Sequence, residues 1–210
     1  MIATRAAGDG TKAVELYYGV YDEQGNLISA ISKITEAQSI AGGSTEINIK
    51  LVYGNTYSMV LWADSKNDVC DLDFTTKKVT YKPSLANQED YDAFYAFVKP
   101  FEVKGAIDTT INLYRPFAQV NIGTNDMEDA KKAGLVVTHT SIKYNSQNVM
   151  DLTSGKKEGD ASQMVFGYNE VAPLKGETFP VANYDYLTMN YLLVDEGKEL
   201  VTIEIEYKAG

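Results

Sequence analysis

The stretch Leu113-Tyr114-Arg115-Pro116-Phe117-Ala118-Gln119-Val120-Asn121-Ile122 joins a proline to a short run of alternating apolar residues. Ala118, Val120 and Ile122 recur at every second position, which is the period of a β-strand. Pro116 has no N–H to give to a central ladder. The stretch therefore predicts a strand with a bulge or a sheet edge at Pro116.

The chain before this stretch contains further strand patterns. Residues 14–21 and 27–34 predict the two arms of a hairpin around Gly25, which is free to take a positive φ angle. Residues 46–51 alternate apolar and polar side chains, as in a strand that is wet on one face. Residues 57–63 are almost continuously apolar, which is consistent with a strand buried on both faces.

The chain after this stretch is also rich in strand patterns. Residues 135–144, 149–152 and 164–168 are three short candidates. Residues 186–194 and 200–207 predict a closing pair of strands across the turn at 195–198. With about ten such segments, the sequence predicts an all-β sandwich.

Two short helices are predicted among the strands. Residues 87–98 carry Asn87 as a cap and an apolar stripe at helical spacing, and Pro100 ends the helix. The stripe consists of Tyr91, Phe94, Tyr95 and Val98. Residues 126–133 predict a second helix, with Glu128 and Lys132 four positions apart and Gly134 as its stop.

Composition excludes several classes of function. The chain has 210 residues, enough for one large or two small domains, with 29 acidic and 19 basic residues and a net charge of -10. Such a balance argues against nucleic acid and against anionic lipid as partners. One cysteine allows no internal disulfide, and no apolar run of about 18 residues would span a membrane. Residues 1–4 lack the basic and apolar regions of a signal peptide.

Residues that could carry catalysis or bind a metal are few. His139 is the only histidine and lies in a strand pattern, and Cys70 is flanked by acidic residues that would raise the pKa of its thiol. Asp64, Asp68, Asp71 and Asp73 could offer oxygen ligands to calcium, but their spacing does not match an EF-hand, and a solvated acidic loop is favoured. We therefore expect no enzyme, no cofactor and no metal site.

Exposed aromatic rings could stack on sugars. Tyr184 and Tyr186 are the candidates for such stacking, whereas Trp62 ends the most apolar strand and is expected in the core. A glycan-binding module that captures polysaccharide at a cell surface is therefore an alternative function.

The stretch 113–122 resembles the "R-x-h-A-x-h" strand of fimbrillin-like surface proteins of Bacteroidetes, in a branch where Arg115 is followed by Pro116, Phe117 and Ala118. Residues 17–26, 57–63 and 186–194 resemble the same branch. The four motifs occur in order and, with their spacing, cover most of residues 14–207. Each motif alone is weak, and together they indicate the family rather than one member.

The resemblance implies a transthyretin-like, Greek-key β-sandwich, export through a signal peptide not present in this chain, and a place on the outer-membrane surface or in a fimbria. It implies no enzymatic activity. Its expected partners are neighbouring pilin subunits or host and surface ligands, and its membrane contact would come only through an N-terminal lipid anchor removed or absent here. Pilus shaft, tip adhesin and anchored lipoprotein all remain open.

Some members of the family polymerise after an arginine-specific protease trims the N-terminus and frees a groove for a neighbour's strand. By this resemblance Arg5 is a candidate processing site. Residues 1–12 are small and polar and predict a flexible leader, followed by a fimbrillin-like region over 13–210. A subdivision between 123 and 185 is an open alternative, and the resemblance implies another strand or two beyond Gly210.

Overall fold

The protein is described here by a computed structural model, which covers residues 9–174, 178–197 and 201–209. Over these residues the chain is built almost entirely of β-strands, with one short α-helix, α1 (Met127–Lys132). The strands are β1 (Glu15–Tyr21), β2 (Lys33–Ser39), β3 (Thr56–Asp64), β4 (Cys70–Asp73), β5 (Lys78–Tyr81), β6 (Phe94–Glu102), β7 (Phe117–Thr124), β8 (Val137–Ser146), β9 (Val149–Asp151), β10 (Lys156–Glu158), β11 (Ser162–Glu170), β12 (Asp185–Leu193) and β13 (Ile203–Ala209).

These strands form four sheets in which all neighbours are antiparallel. The first sheet has the order β2-β1-β3-β6, and the second has the order β10-β9-β5-β4. The third has the order β11-β8-β13, and the fourth consists of β12 and β7. The predicted all-β sandwich is confirmed. No helix within the described ranges is long and apolar enough to cross a membrane.

Strand β3 is the most deeply buried strand, as its apolar run predicts. Val60 and Trp62 point to one face and join the larger apolar cluster of the protein. Tyr57, Met59 and Leu61 point to the opposite face and belong to a second apolar cluster. Because side chains alternate across a strand, a run that is apolar at every position must be covered on both sides.

The larger cluster holds the four sheets together through aromatic rings. The ring centroids of Tyr81 in the second sheet and Phe117 in the fourth are 4.7 Å apart. Tyr81 also lies 6.3 Å from Phe166 of the third sheet. Trp62 of the first sheet is fully buried in the same cluster, as expected from its place in an apolar strand.

The helix predicted over 87–98 is wrong. Only a single 3-10 turn, Glu89–Tyr91, forms there, and β6 begins at Phe94 and runs through Pro100. Residues 94–98 pair with β3, which places them beside the most apolar strand of the sheet. Pro100 is tolerated because β6 is an edge strand and its ladder is irregular between Val98 and Phe101.

Two other predicted segments differ in detail. The second arm of the first hairpin is shifted, because a 3-10 turn at Ser29–Ile31 delays β2 until Lys33. The predicted closing pair is wrong, since β12 pairs with β7 and β13 pairs with β8. Strands β12 and β13, which follow each other along the chain, therefore belong to different sheets.

The helix predicted over 126–133 is confirmed as α1, and Gly134 ends it with a φ of 84°. Its ion pairs differ from the expected Glu128–Lys132 pair. Lys131 Nζ lies 2.8 Å from Glu128 Oε1, and Lys132 Nζ lies 2.8 Å from Asp129 Oδ1.

Asn87, predicted as a helix cap, instead ties its loop to two sheets. It is buried and has a left-handed φ of 58°. Its Nδ2 donates to Thr140 Oγ1 of β8 at 2.8 Å, and its Oδ1 accepts from the Met189 N–H of β12 at 3.0 Å. Its backbone N–H donates to Asn190 Oδ1 at 3.3 Å. Asn87 lies in the loop that connects β5 of the second sheet to β6 of the first. Its side chain therefore ties this loop to the third and fourth sheets.

We expect Asn87→Gly to lower the free energy of unfolding by about 1–3 kcal/mol, because buried groups lose their hydrogen bonds while the positive φ is retained. Asn87→Ala should cost about 1 kcal/mol more, because alanine is strained at that φ. Urea unfolding measures both. Asn183→Gly is the matched control, since Asn183 also has a positive φ but is exposed. Equal effects at the two sites would contradict the role of the side chain.

Candidate functional site

Arg115, the predicted family residue, forms a two-pronged ion pair with Asp92. Arg115 Nε donates to Asp92 Oδ1 at 2.7 Å, and Arg115 Nη2 donates to Asp92 Oδ2 at 2.7 Å. The guanidinium carbon also lies 5.1 Å from the ring centroid of Phe94 and 5.9 Å from that of Tyr191. Arginine suits this place because its planar fork matches a carboxylate and its face stacks on rings.

The residues around Arg115 connect two sheets. Tyr114 exchanges two backbone hydrogen bonds with Tyr95 of β6, at 2.8 and 2.9 Å. Two residues later, the carbonyl of Pro116 accepts from the Val194 N–H, which follows β12, at 3.0 Å. Pro116 stands directly before the first residue of β7, so its missing N–H removes at most one hydrogen bond, at the very end of the ladder with β12. At this motif the chain therefore crosses from the first sheet to the fourth.

Phe117 and Ala118 complete the motif inside the fourth sheet. Phe117 is buried against Tyr81, and its ring centroid lies 6.3 Å from that of Tyr191. Ala118 pairs with Leu192 of β12. Each of the four motif residues therefore has a structural role. Arg115 forms an ion pair, Pro116 precedes the strand, Phe117 packs in the core, and Ala118 pairs with β12.

Burial dominates the electrostatics of the ion pair. The side chain of Asp92 is 1% exposed, whereas that of Arg115 is 28% exposed. Burial raises the pKa of Asp92 above its ordinary value, although the hydrogen bonds and charge of Arg115 oppose the shift. Since Arg115 supplies the opposite charge for this buried carboxylate, loss of the arginine would leave a buried negative charge without its counter-charge.

A second candidate site is the outer face of the first sheet, formed by Leu16 and Tyr18 of β1, Met59 and Leu61 of β3, and Ala96 of β6. Two chain segments lie over this face, and we name them the first cover segment (residues 45–51) and the second cover segment (residues 105–113). Ile47, Ile49 and Leu51 of the first, and Ile111 and Leu113 of the second, pack on the face. The face is therefore covered by side chains from extended chain rather than by a paired sheet.

The two cover segments have no ladder of their own. The alternating pattern of 46–51 predicts a strand, and the burial does alternate, with Ile47 and Ile49 half-buried and Asn48 and Lys50 exposed. However, neither segment makes a backbone–backbone hydrogen bond with another described residue. The strand prediction for 46–51 is wrong in pairing although right in the orientation of the side chains.

The predicted sugar-stacking pair is not brought together on the surface. Tyr184 is 39% exposed, and its ring stacks on Phe179 with centroids 5.8 Å apart. Tyr186 is only 6% exposed and belongs to the larger apolar cluster. The glycan hypothesis therefore rests on Tyr184. Arg5, the predicted processing site, lies outside the described residues.

The remaining chemically interesting residues are engaged in ordinary contacts. His139 Nδ1 lies 3.0 Å from Thr138 Oγ1 on a half-buried strand position, and burial raises the pKa of the Cys70 thiol. Asp64 accepts hydrogen bonds from Trp62 Nε1 at 2.9 Å and from the Lys66 N–H at 3.0 Å. Within the described part of the chain, no three His, Cys, Asp or Glu side chains are grouped to hold a metal ion.

Comparison with protein families places the chain in one of them. A model of a family of unknown function, DUF6562, matches residues 2–210. The chain belongs to the DUF6562 family. A search of curated proteins found no match for this DUF6562 protein.

Solved structures from Bacteroidetes share the fold of this DUF6562 protein. A candidate adhesin from Bacteroides ovatus matches 95% of this chain and 67% of its own, with a TM-score of 0.55 and 14% identity. The fimbrial anchor protein Mfa2 from Porphyromonas gingivalis matches 93% of this chain and 70% of its own, with a TM-score of 0.53 and 16% identity. At such identities the similarity shows the fold.

Sequence reasoning identified Arg115 but not its partner. Asp92 is one of 29 acidic residues, and it lies in the segment predicted to be a helix, so no local pattern singles it out. The cover segments were also missed as a site, because a sequence cannot show that a strand pattern will lack a ladder.

We expect Arg115→Met to lower the free energy of unfolding of this DUF6562 protein by about 3 kcal/mol at neutral pH, because Asp92 then keeps a buried charge without an opposite charge beside it. The pKa of Asp92 should rise further above 3.8. A raised carboxyl pKa means that folding gains stability as pH falls through that pKa. The deficit relative to the unaltered protein should therefore shrink between about pH 7 and about pH 4, as urea unfolding would measure.

The control for this prediction combines Arg115→Met with Asp92→Asn. Relative to Asp92→Asn alone, the double variant should show a deficit that does not change with pH, because neither protein has a titrating carboxyl at position 92. A deficit in Arg115→Met that is constant with pH would show that lost packing, rather than the unpaired Asp92 carboxylate, causes the destabilisation.

Proposed function

We propose that this chain is a non-enzymatic, fimbrillin-like protein of the bacterial surface, acting as a pilus subunit or an anchored adhesin through β-strand exchange. The observation that carries the proposal is the outer face of the first sheet, where extended cover segments lie over apolar side chains without a backbone ladder. A strand from a neighbouring subunit would supply the missing partners.

The physical basis is β-augmentation. Backbone N–H and C=O groups of an unpaired extended segment offer the same hydrogen bonds as a sheet edge, and an incoming strand satisfies them while its alternate side chains enter apolar pockets. The cover segments combine both features, because Ile49 and Ile111 already contact the apolar face while their backbones stay without backbone partners among the described residues. An incoming strand therefore gains hydrogen bonds without first breaking a ladder.

Arg5 is proposed as the processing site that precedes strand exchange. The chain contains two arginines, Arg5 and Arg115. Arg115 is held by Asp92 at two points, so an arginine-specific protease acting on the folded protein should cut at Arg5. The described N-terminal residues lead directly into the first sheet, since the Val14 N–H donates to the Asp64 carbonyl at 2.8 Å.

The fold similarity to a candidate adhesin and to the fimbrial anchor protein Mfa2 supports a cell-surface role. The proposed partners are neighbouring subunits or surface ligands, and the proposed anchor is an N-terminal lipid on the outer membrane. The glycan-binding alternative has less support, because Tyr186 lies in the core and only Tyr184 offers an exposed ring of the proposed pair.

We expect treatment with an arginine-specific protease to convert the chain into polymers that appear as a ladder on a denaturing gel run without boiling. The reason is that trimming at Arg5 frees a segment whose place a neighbour's strand can take. Negative-stain electron microscopy of the same sample should show filaments.

Arg5→Lys is the matched control, because it keeps the charge but removes the arginine that the protease requires. This variant should remain a single monomer band. A monomer band from the trimmed unaltered protein would contradict strand exchange as a shaft mechanism, and polymers formed equally by Arg5→Lys would contradict Arg5 as the trigger.

A further inference from the structure

A cleft of about 430 Å³ lies between the edges of the first and second sheets. Ile34 of edge strand β2 lines one side, Leu72 of edge strand β4 lines the other, and residues 66–68 of the loop between β3 and β4 border it. We name it the edge cleft, and its lining includes Tyr17, Ile34, Asp64, Asp68, Cys70 and Leu72. Its volume lies in the range of sites that take small molecules.

The floor of the edge cleft is apolar. Tyr17, Ile34, Cys70 and Leu72 line the cleft, are each half-buried, and pack against the larger apolar cluster. Tyr17 lies opposite Trp62 in the ladder between β1 and β3, so its ring is on the inner face of the first sheet. An apolar chain lying on this floor would contact an aromatic ring and two aliphatic side chains.

Asp64 places a buried carboxylate beside this floor. It lies two residues after Trp62 on β3, so its side chain points to the same inner face, and it is 3% exposed. Its Oδ2 accepts from Trp62 Nε1 at 2.9 Å, and its Oδ1 accepts from the Lys66 N–H at 3.0 Å. Both donors are neutral, and each carboxylate oxygen can accept a second hydrogen bond.

Among the described residues, no lysine or arginine forms an ion pair with Asp64. Lys66 Nζ pairs instead with Glu15 Oε1 at 3.3 Å, and Lys82 Nζ pairs with Asp71 Oδ2 at 2.9 Å. Burial raises the pKa of Asp64 above its ordinary value, and the charge of Glu15 adds to this shift against the two hydrogen bonds. A cation in the edge cleft would therefore supply the counter-charge that this buried carboxylate lacks.

The arrangement of charge and apolar surface suits an organic cation better than a metal ion. A calcium ion requires six to eight oxygen ligands. In the part of the chain that the structure describes, no three His, Cys, Asp or Glu side chains are grouped to hold a metal ion. An alkylammonium ion needs only a carboxylate for its head and an apolar surface for its chain.

We propose that the edge cleft binds a primary alkylammonium ion. Its ammonium group donates to the Asp64 carboxylate, and its chain lies on Tyr17, Ile34 and Leu72. Asp68, exposed on the rim, adds negative charge at the entrance. A free amine and a lysine side chain of another protein share this chemistry.

This site is independent of strand exchange. The edge cleft is lined by side chains of the inner face of the first sheet, whereas the cover segments lie over the outer face. Binding at the edge cleft and polymerisation after trimming can therefore succeed or fail separately.

An NMR titration of the unaltered chain with n-pentylammonium tests the proposal. In about 150 mM salt, which screens nonspecific attraction to the acidic surface, the dissociation constant should be on the order of 1 mM. Amide shifts should concentrate at residues 34, 64–68 and 70–72. The control ligand is 1-pentanol, which has the same chain without the charge and should bind at least about tenfold more weakly. Equal binding of the alcohol, or shifts scattered over the surface, would overturn the proposal.

Two variants test the role of each part of the edge cleft. Asp64→Asn should weaken n-pentylammonium binding by about tenfold or more, because it removes the charge and keeps the shape. Asp160→Asn is the matched control, since it removes the same charge from an exposed position after β10, at the far edge of the second sheet from β4. Because asparagine offers one acceptor oxygen to two donors, Ile34→Trp is a second variant, which fills the cleft and leaves Asp64 unchanged. Undiminished binding by either folded variant, Asp64→Asn or Ile34→Trp, would overturn the proposal.

A second ligand distinguishes the two sources of the ammonium group. Nα-acetyl-lysine methylamide carries the same head and a similar chain on a peptide unit. Comparable binding of this ligand would assign the edge cleft to a lysine side chain of a partner, and binding of n-pentylammonium alone would assign it to a free amine. Binding of neither would overturn the proposal, whatever the outcome of the protease experiment.

Discussion

The burial of β3 on both faces is the constraint on which the rest of the structure depends. Trp62 requires a covering layer on one side of the first sheet, and Leu61 requires another on the opposite side. The other three sheets provide the first layer through the larger apolar cluster. The second layer is provided by the cover segments, which contribute apolar side chains but no backbone pairing with another described residue. The surface proposed to accept a strand is therefore a consequence of how the core is closed.

Two polar contacts position the sheets around this core. Asn87 fixes the loop between β5 and β6 to the third and fourth sheets, and the Arg115–Asp92 pair fixes the entry to β7 against β6. Apolar contacts alone are not directional, whereas buried hydrogen bonds are costly to leave unmade and so select one arrangement. The motif Arg-Pro-Phe-Ala therefore connects two sheets and holds them in position rather than forming a binding site.

The amino-acid sequence was sufficient to predict those elements whose pattern of apolar and polar residues fits only one kind of secondary structure. The double-sided burial of β3, the helix α1 and its stop at Gly134 all follow from local rules. The segment 87–98 failed because its aromatic spacing also suits a strand, and pairing with β3 decided the outcome. The closing strands failed because β12 and β13 pair with distant β7 and β8 rather than with each other. The contact of Asp92 with Arg115 depends on such long-range packing, so no local pattern reveals it.

Amide hydrogen exchange, compared between the monomer and the protease-treated assembly, tests the central claim most directly. In the monomer the amides of residues 45–51 and 105–113 should exchange rapidly, because they lack backbone partners, while those of β3 should be strongly protected. On assembly the cover segments should become protected, by about a hundredfold or more, as an incoming strand pairs with them. Unchanged, rapid exchange of both segments in the assembled material would contradict strand acceptance at this face.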